Sequence, residues 1–190
     1  MIGIADEEFL RGNVPMTKQE IRILTLAKAK IYPMDTIYDI GAGTGALSIE
    51  AARLAPDGEV FAIERNPQAA QLIAQNIEKF SVENIMVLEL EAPDGIEHLP
   101  PADVVLIGGS GGNLPRILAA VDKKIEPCGR IVVNCITVQT LMECISYMRE
   151  HEDTYSYEAI QVQVSHLEQV GAYDMARAMN PIHIVTCTKK

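Results

Sequence analysis

The chain has 190 residues, 48% of them apolar, with 26 acidic and 16 basic side chains and a net charge of −10. That length suits one well-buried domain and is short for two. The acidic balance and the scattered cations weigh against nucleic acid and anionic membranes as partners, and no stretch approaches the roughly 18 uninterrupted apolar residues of a membrane span.

Residues 1–16 read as an extended arm. The arm has early acids, Asp6, Glu7 and Glu8, and no basic n-region of the kind that opens a secretory signal. A cytoplasmic location is therefore expected. A helix is predicted over 17–31, opened by the capping box Thr17-x-x-Glu20 and ended by Pro33. Strand 36–40 follows, then a glycine turn, a helix over 45–55 and strand 59–63. Asn66-Pro67 caps a helix over 67–80. Strand 84–90, strand 103–107, a helix over 114–124, strand 129–136 and a helix over 138–150 continue the alternation. Such alternation implies a parallel sheet with crossover helices on both faces. Residues 154–164 then alternate at period two, and 182–188 form a second strand candidate. These two predict an antiparallel pair at the end of the sheet.

The four cysteines, Cys128, Cys135, Cys144 and Cys187, lack C-x-x-C spacing and lie in or beside apolar segments, as reduced core thiols do. The four histidines, His98, His151, His166 and His183, are too far apart in sequence to indicate a metal site.

Most of the chemistry gathers at the predicted strand ends. The first strand runs into Asp39-Ile40-Gly41-Ala42-Gly43-Thr44-Gly45. Glycines there let a ligand press against bare backbone, and the orphan N–H groups of the next helix point at that ligand. The dinucleotide fingerprint is G-x-G-x-x-G. This turn is G-x-G-x-G with an acid two residues earlier, and it resembles the first motif of class I methyltransferases that use S-adenosylmethionine. In that pattern Asp39 helps shape the region around the methionine portion. Glu64 closes the second strand, where a carboxylate can accept from both hydroxyls of a ribose. NAD carries the same ribose, so Glu64 does not separate the two ligands. Glu91-Ala92 ends the third strand, where adenine is expected, with the Ala92 backbone as its contact. The fourth strand runs into Gly108-Gly109-Ser110-Gly111-Gly112-Asn113 in place of the Asn/Asp-Pro-Pro-Tyr/Phe motif of amino-group methylases. That floor suits a bulky substrate, and nothing marks a base beside Ser110.

Over nearly its whole length the chain resembles the CbiT family of decarboxylating cobalt-precorrin methyltransferases. It is also similar to the C-terminal half of the larger aerobic enzyme CobL. The specific segments are Val14-Pro15-Met16-Thr17-Lys18-Gln19-Glu20-Ile21-Arg22 and the floor at 108–112, joined by Gly171-Ala172-Tyr173-Asp174-Met175 and Met179-Asn180-Pro181-Ile182. The resemblance implies an α/β class I S-adenosylmethionine-dependent methyltransferase, Rossmann-like, with a seven-stranded mostly parallel sheet and an antiparallel C-terminal pair. It implies methylation of C15 of a cobalt-precorrin tetrapyrrole with loss of the C12 acetate carboxyl, and a homotetramer. The cofactor-binding set it implies is Thr17, Asp39, Gly41, Ala42, Gly43, Thr44, Gly45, Glu64 and Ala92. Arg11, Lys18, Arg22, Arg65, Arg116 and Arg177 are candidates for the substrate carboxylates, which predicts a locally positive mouth on an acidic body. No catalytic acid or base can be named. A class I methyltransferase acting on RNA or protein is the alternative; it would need a basic rim or a docking domain.

Overall fold

The computed structural model describes residues 2–190. Helix α1 (Gln19–Ala29) precedes β1 (Thr36–Ile40), α2 (Ala46–Leu54), β2 (Glu59–Ile63), α3 (Pro67–Phe80), β3 (Ile85–Leu88) and β4 (Ala102–Ile107). Helix α4 (Leu114–Asp122), β5 (Ile125–Cys135), α5 (Val138–Glu150) and β6 (Tyr155–Val162) follow. The chain ends with β7 (Ser165–Val170), β8 (Tyr173–Ala178) and β9 (Ile182–Lys189). The main sheet has seven strands in the order β3-β2-β1-β4-β5-β9-β6. Strands β1 to β5 pair in parallel, and β9 runs antiparallel to both β5 and β6. The expected antiparallel pair is thus β6 with β9.

Both sheet faces are covered, which is why the central strands are near-continuous apolar runs. On one face Ile37, Val104, Leu106 and Val132 pack with Ile21 and Leu26 of α1 and Leu47 and Ile49 of α2. On the other, Tyr38, Ile40, Val105, Ile107 and Val133 pack with Leu114, Ile117 and Leu118 of α4 and Cys144 and Met148 of α5. The order reverses beside β1, whose neighbours β2 and β4 are reached by crossovers to opposite sides. A ligand crevice opens at such a switch point, beyond the carboxyl ends of the strands.

Three local expectations need correction. Helix α1 begins later than T-x-x-E predicts. Its cap is Lys18, in extended backbone, and the first intrahelical bond runs from the Arg22 N–H to the Lys18 carbonyl at 2.8 Å. Thr17 makes no cap; its carbonyl accepts instead from Arg22 Nη1 at 2.6 Å. The segment between the last two expected strands is a hairpin, β7–β8, forming its own two-stranded sheet. It turns through Gly171-Ala172 with Gly171 at φ 64°, the left-handed backbone that a glycine-first hairpin turn uses. Every residue of both strands is exposed. Finally, Cys135, Cys144 and Cys187 are buried, but Cys128 is exposed at φ 63°, where β5 departs from regular pairing with β4. The Cys135 thiol is pushed far above its ordinary pKa by its hydrogen bond with Cys144 and by burial.

The predicted Asn66 cap is present: its side chain accepts from the Gln68 N–H at 2.9 Å, with Pro67 in the first turn. Before β3, Asn84 Nδ2 reaches the carbonyls of Ala55 at 2.7 Å and Gly58 at 3.1 Å, closing the connection into β2. Asn84→Ala leaves these half-buried acceptors short of donors. It is expected to lower stability by about 1–2 kcal/mol, read from urea denaturation.

Candidate active site

The glycine turn sits between β4 and the arm, and its glycines are sterically required. Gly41 (φ 71°) lies so close to the floor that a Cβ would come 2.5 Å from the Gly109 carbonyl oxygen. Gly43 (φ 59°) faces the arm, where a Cβ would come 2.7 Å from the Pro15 carbonyl oxygen. The two loops are tied to neighbouring strands. The N–H groups of Gly41 and Ala42 donate to the Ile63 carbonyl at 2.9 and 3.2 Å, and the Gly108 N–H donates to the Ile40 carbonyl at 2.9 Å. An added side chain on Gly43 would thus meet the arm before any ligand. Gly43→Ala is expected to cost about 1–2 kcal/mol in left-handed backbone strain, with the arm displaced, as a lowered melting temperature would show.

Glu64 closes β2 with its carboxylate aimed at this turn. Oε2 accepts from the Gly43 N–H and Oε1 from the Asn66 N–H, both at 2.9 Å. Each oxygen keeps a lone pair for a further donor. Beside it, Arg65 pairs with Glu91 at 2.8 Å. The Glu91 side chain is thereby occupied, and Ala92 beside it also lines the cavity described next.

These elements enclose a cavity of about 730 Å³, within the size range of small-molecule sites. Of the nine expected cofactor residues, Thr17, Gly41, Ala42, Gly43, Glu64 and Ala92 line it. Asp39, Thr44 and Gly45 lie behind the wall. Gly45 caps α2 in left-handed backbone. The Thr44 carbonyl accepts from Asn76 Nδ2 at 2.9 Å. Asp39 is fully buried, and its Oδ2 accepts from the Ser48 hydroxyl at 2.5 Å while Oδ1 has no partner. Burial pushes its pKa up to about 6, with the nearby Glu64 charge adding to the rise.

The floor contributes Gly108, Gly109, Ser110 and Gly111. The opposite side is apolar, and residue types alone do not mark it: Ile136 after β5, Val162 and Val164 around the end of β6, and Met179 and Ile182 leading into β9. Asn134 joins that side, held against Thr25 of α1 at 3.0 Å. The β1–β3 side of the cavity thus carries loop backbone and the Glu64 carboxylate among Ile40, Ile63 and Leu90, while the β5, β6 and β9 side is mostly apolar.

The candidate cations divide sharply. Arg22 is fully buried in ion pairs with Glu50 and Asp6, so it cannot meet substrate. Lys18 and Arg65 line the cavity, but each faces an acid, Asp6 at 3.4 Å and Glu91 at 2.8 Å. With Glu64 and Glu91 also on the wall, the charged lining is balanced rather than positive. Arg177 lies on β8, paired with Glu168 at 3.2 Å, and Arg11 and Arg116 are exposed.

A family model for the precorrin methyltransferase domain matches residues 8–189. A cobalt-precorrin-6B C(15)-methyltransferase (decarboxylating) from Salmonella typhimurium is 39% identical over 186 residues, covering 97% of this chain and 95% of that protein. The crystal structure of a precorrin-6Y C5,15-methyltransferase from Geobacter metallireducens superimposes with a TM-score of 0.93 at 40% identity, over 99% of this chain and 97% of that one. A precorrin-8W decarboxylase from Methanobacterium thermoautotrophicum gives 0.90 at 29% identity, over 96% and 98%. A SAM-dependent O-methyltransferase from Thermotoga maritima, 18% identical with a TM-score of 0.77 over 92% of this chain and 66% of that one, shares the fold alone.

Proposed function

The chain belongs to the precorrin methyltransferase family, and from that premise we propose that it methylates C15 of a cobalt-precorrin and removes the C12 acetate carboxyl as carbon dioxide. The methyl donor is S-adenosylmethionine, whose sulfonium supplies an already activated methyl group. The observation that carries this reading is the two-sided cavity at the sheet's switch point.

On the polar side, Gly41, Ala42 and Gly43 leave room for the methionine end of the donor. The Glu64 carboxylate, already set by two backbone donors, accepts from the ribose hydroxyls. Ala92 leaves space for adenine, and Thr17 borders the donor from the arm. Asp39, Thr44 and Gly45 act from behind by fixing the loop. On the apolar side, Ile136, Val162, Val164, Met179 and Ile182 suit the face of a macrocycle. The chain's main task is alignment of an electron-rich ring carbon with the methyl group. Electrons left by decarboxylation pass into the conjugated macrocycle, so the substrate supplies its own sink.

Among the described residues no helix is long and apolar enough to cross a membrane. We take the protein to be cytoplasmic and homotetrameric, with neither nucleic acid nor membrane as partner, on the family resemblance and the acidic charge. Incubation with methyl-labelled S-adenosylmethionine and a mixture of cobalt-precorrins, RNA and protein separates this reading from its alternative. Label is expected in the tetrapyrrole fraction; label in RNA or protein would overturn the assignment.

A further inference from the structure

We propose that Arg22 is a positioning residue for donor binding: it clasps the N-terminal arm into the cavity wall beside the glycine turn. The inference rests on reading that side of the cavity as the donor site. Arg22 is fully buried on α1, and four of its N–H donors are committed. Nε donates to Glu50 Oε1 of α2 at 2.9 Å. Nη1 donates to Asp6 Oδ1 at 2.7 Å and to the Thr17 carbonyl at 2.6 Å, and Nη2 donates to the Ile4 carbonyl. The Phe9 ring lies over the guanidinium with its centroid 4.8 Å away. Glu50 completes the fastening by accepting from the Gly3 N–H at 2.6 Å.

One planar fork thus reaches both ends of the arm and ties them to a core helix. Other fastenings are spread along the arm: the buried Phe9 packs on Phe80 with ring centroids 4.8 Å apart, Gln19 Nε2 donates to the Gly3 carbonyl at 2.8 Å, and Lys79 Nζ donates to the Glu8 carbonyl. Among the arm's described residues the only regular element is a single 3-10 turn, Asp6–Glu8, with no buried residue. Between the clasped ends, Asn76 of α3 exchanges hydrogen bonds with both Leu10 backbone groups, at 2.8 and 2.7 Å, and also donates to the Thr44 carbonyl. Arm and glycine turn therefore share a support. The arm's last stretch, from Val14 to Lys18, forms one wall of the cavity, with the Pro15 carbonyl packed over Gly43.

A buried ion pair is a poor source of net stability compared with apolar side chains of the same volume. Its contribution here is directional. The fork fixes where the carbonyls of Ile4 and Thr17 sit, and hence where Pro15, Met16 and Thr17 stand over the turn. Lysine keeps the charge but presents no planar fork.

Asp6→Ala removes the arm's carboxylate from the clasp, frees Lys18 as well, and leaves the Arg22–Glu50 pair intact. Arg22→Lys removes the fork and keeps the charge. Both are compared with the wild type by calorimetry with S-adenosylhomocysteine, by hydrogen exchange over residues 2–18, and by kinetics with S-adenosylmethionine and cobalt-precorrin-6B. Asp6→Ala is expected to raise Kd and donor KM together by about tenfold, with kcat at saturating donor within about twofold and faster exchange along the arm. Arg22→Lys is expected to shift Kd further in the same direction. A merely structural clasp would lower the melting temperature and leave Kd at its wild-type value; that result in both variants overturns the proposal. Failure of the wild-type protein to bind S-adenosylhomocysteine overturns the donor site itself, and the clasp's role with it.

Discussion

Asp39→Asn is expected to gain stability relative to the wild type as pH rises, by about 2–2.5 kcal/mol between pH 4 and pH 8. The Asp39 carboxyl is fully buried, Oδ1 has no partner, and its pKa lies near 6 against 3.8 for the free side chain. Between those values the native chain holds a proton that the unfolded chain has lost. Native stability therefore falls as pH rises through that window. Asparagine can still accept from Ser48, and it carries no charge at any pH. Its own buried N–H groups add a constant penalty, so the informative quantity is the change in the difference between the two proteins. Chemical denaturation at several pH values reads it directly. A difference that stays flat from pH 4 to pH 8 would show that the carboxylate is not destabilised by its burial.

Glu64→Ala is expected to raise the Kd for S-adenosylhomocysteine tenfold to a hundredfold, about 1.4–2.7 kcal/mol. Two losses combine. The ribose hydroxyls lose a charged acceptor, an interaction of about 1.5–3 kcal/mol. The Gly43 N–H also loses its partner, freeing the turn against which the donor packs. Glu64→Gln should not rescue binding. Its amide can offer an oxygen to only one of the two backbone donors, at Gly43 and Asn66, and turns an N–H toward the other. Calorimetry measures both variants, and unchanged affinity in Glu64→Ala would remove Glu64 from the ribose site.

Much of the fold is legible because the central strands are buried on both faces and glycine marks their ends. The alternation from β1 to α5, the turn after β1 and Glu64 all follow from such local signals. What stays hidden depends on contacts distant in sequence. Arg22 reads as a candidate for the substrate carboxylates, and only Glu50, 28 positions away, together with the returning arm turns it into a buried clasp. The T-x-x-E pattern is satisfied on paper, yet the Thr17 carbonyl is claimed by Arg22, and the cap moves to Lys18. The β7–β8 hairpin escapes notice because neither of its faces is buried, so no apolar alternation betrays it. The apolar shelf is harder to read: Val162 and Val164 read as ordinary strand residues, and Met179 and Ile182 stand out only as part of a family segment, until the sheet brings them to the cavity.

The proposed activity is methylation of C15 with loss of the C12 acetate carboxyl. Incubating the protein with S-adenosylmethionine and cobalt-precorrin-6B, then weighing the product by mass spectrometry, tests it most directly. The predicted product has gained one methyl group and lost one carbon dioxide. A tetrapyrrole recovered with neither change, from protein that binds S-adenosylhomocysteine, would contradict it.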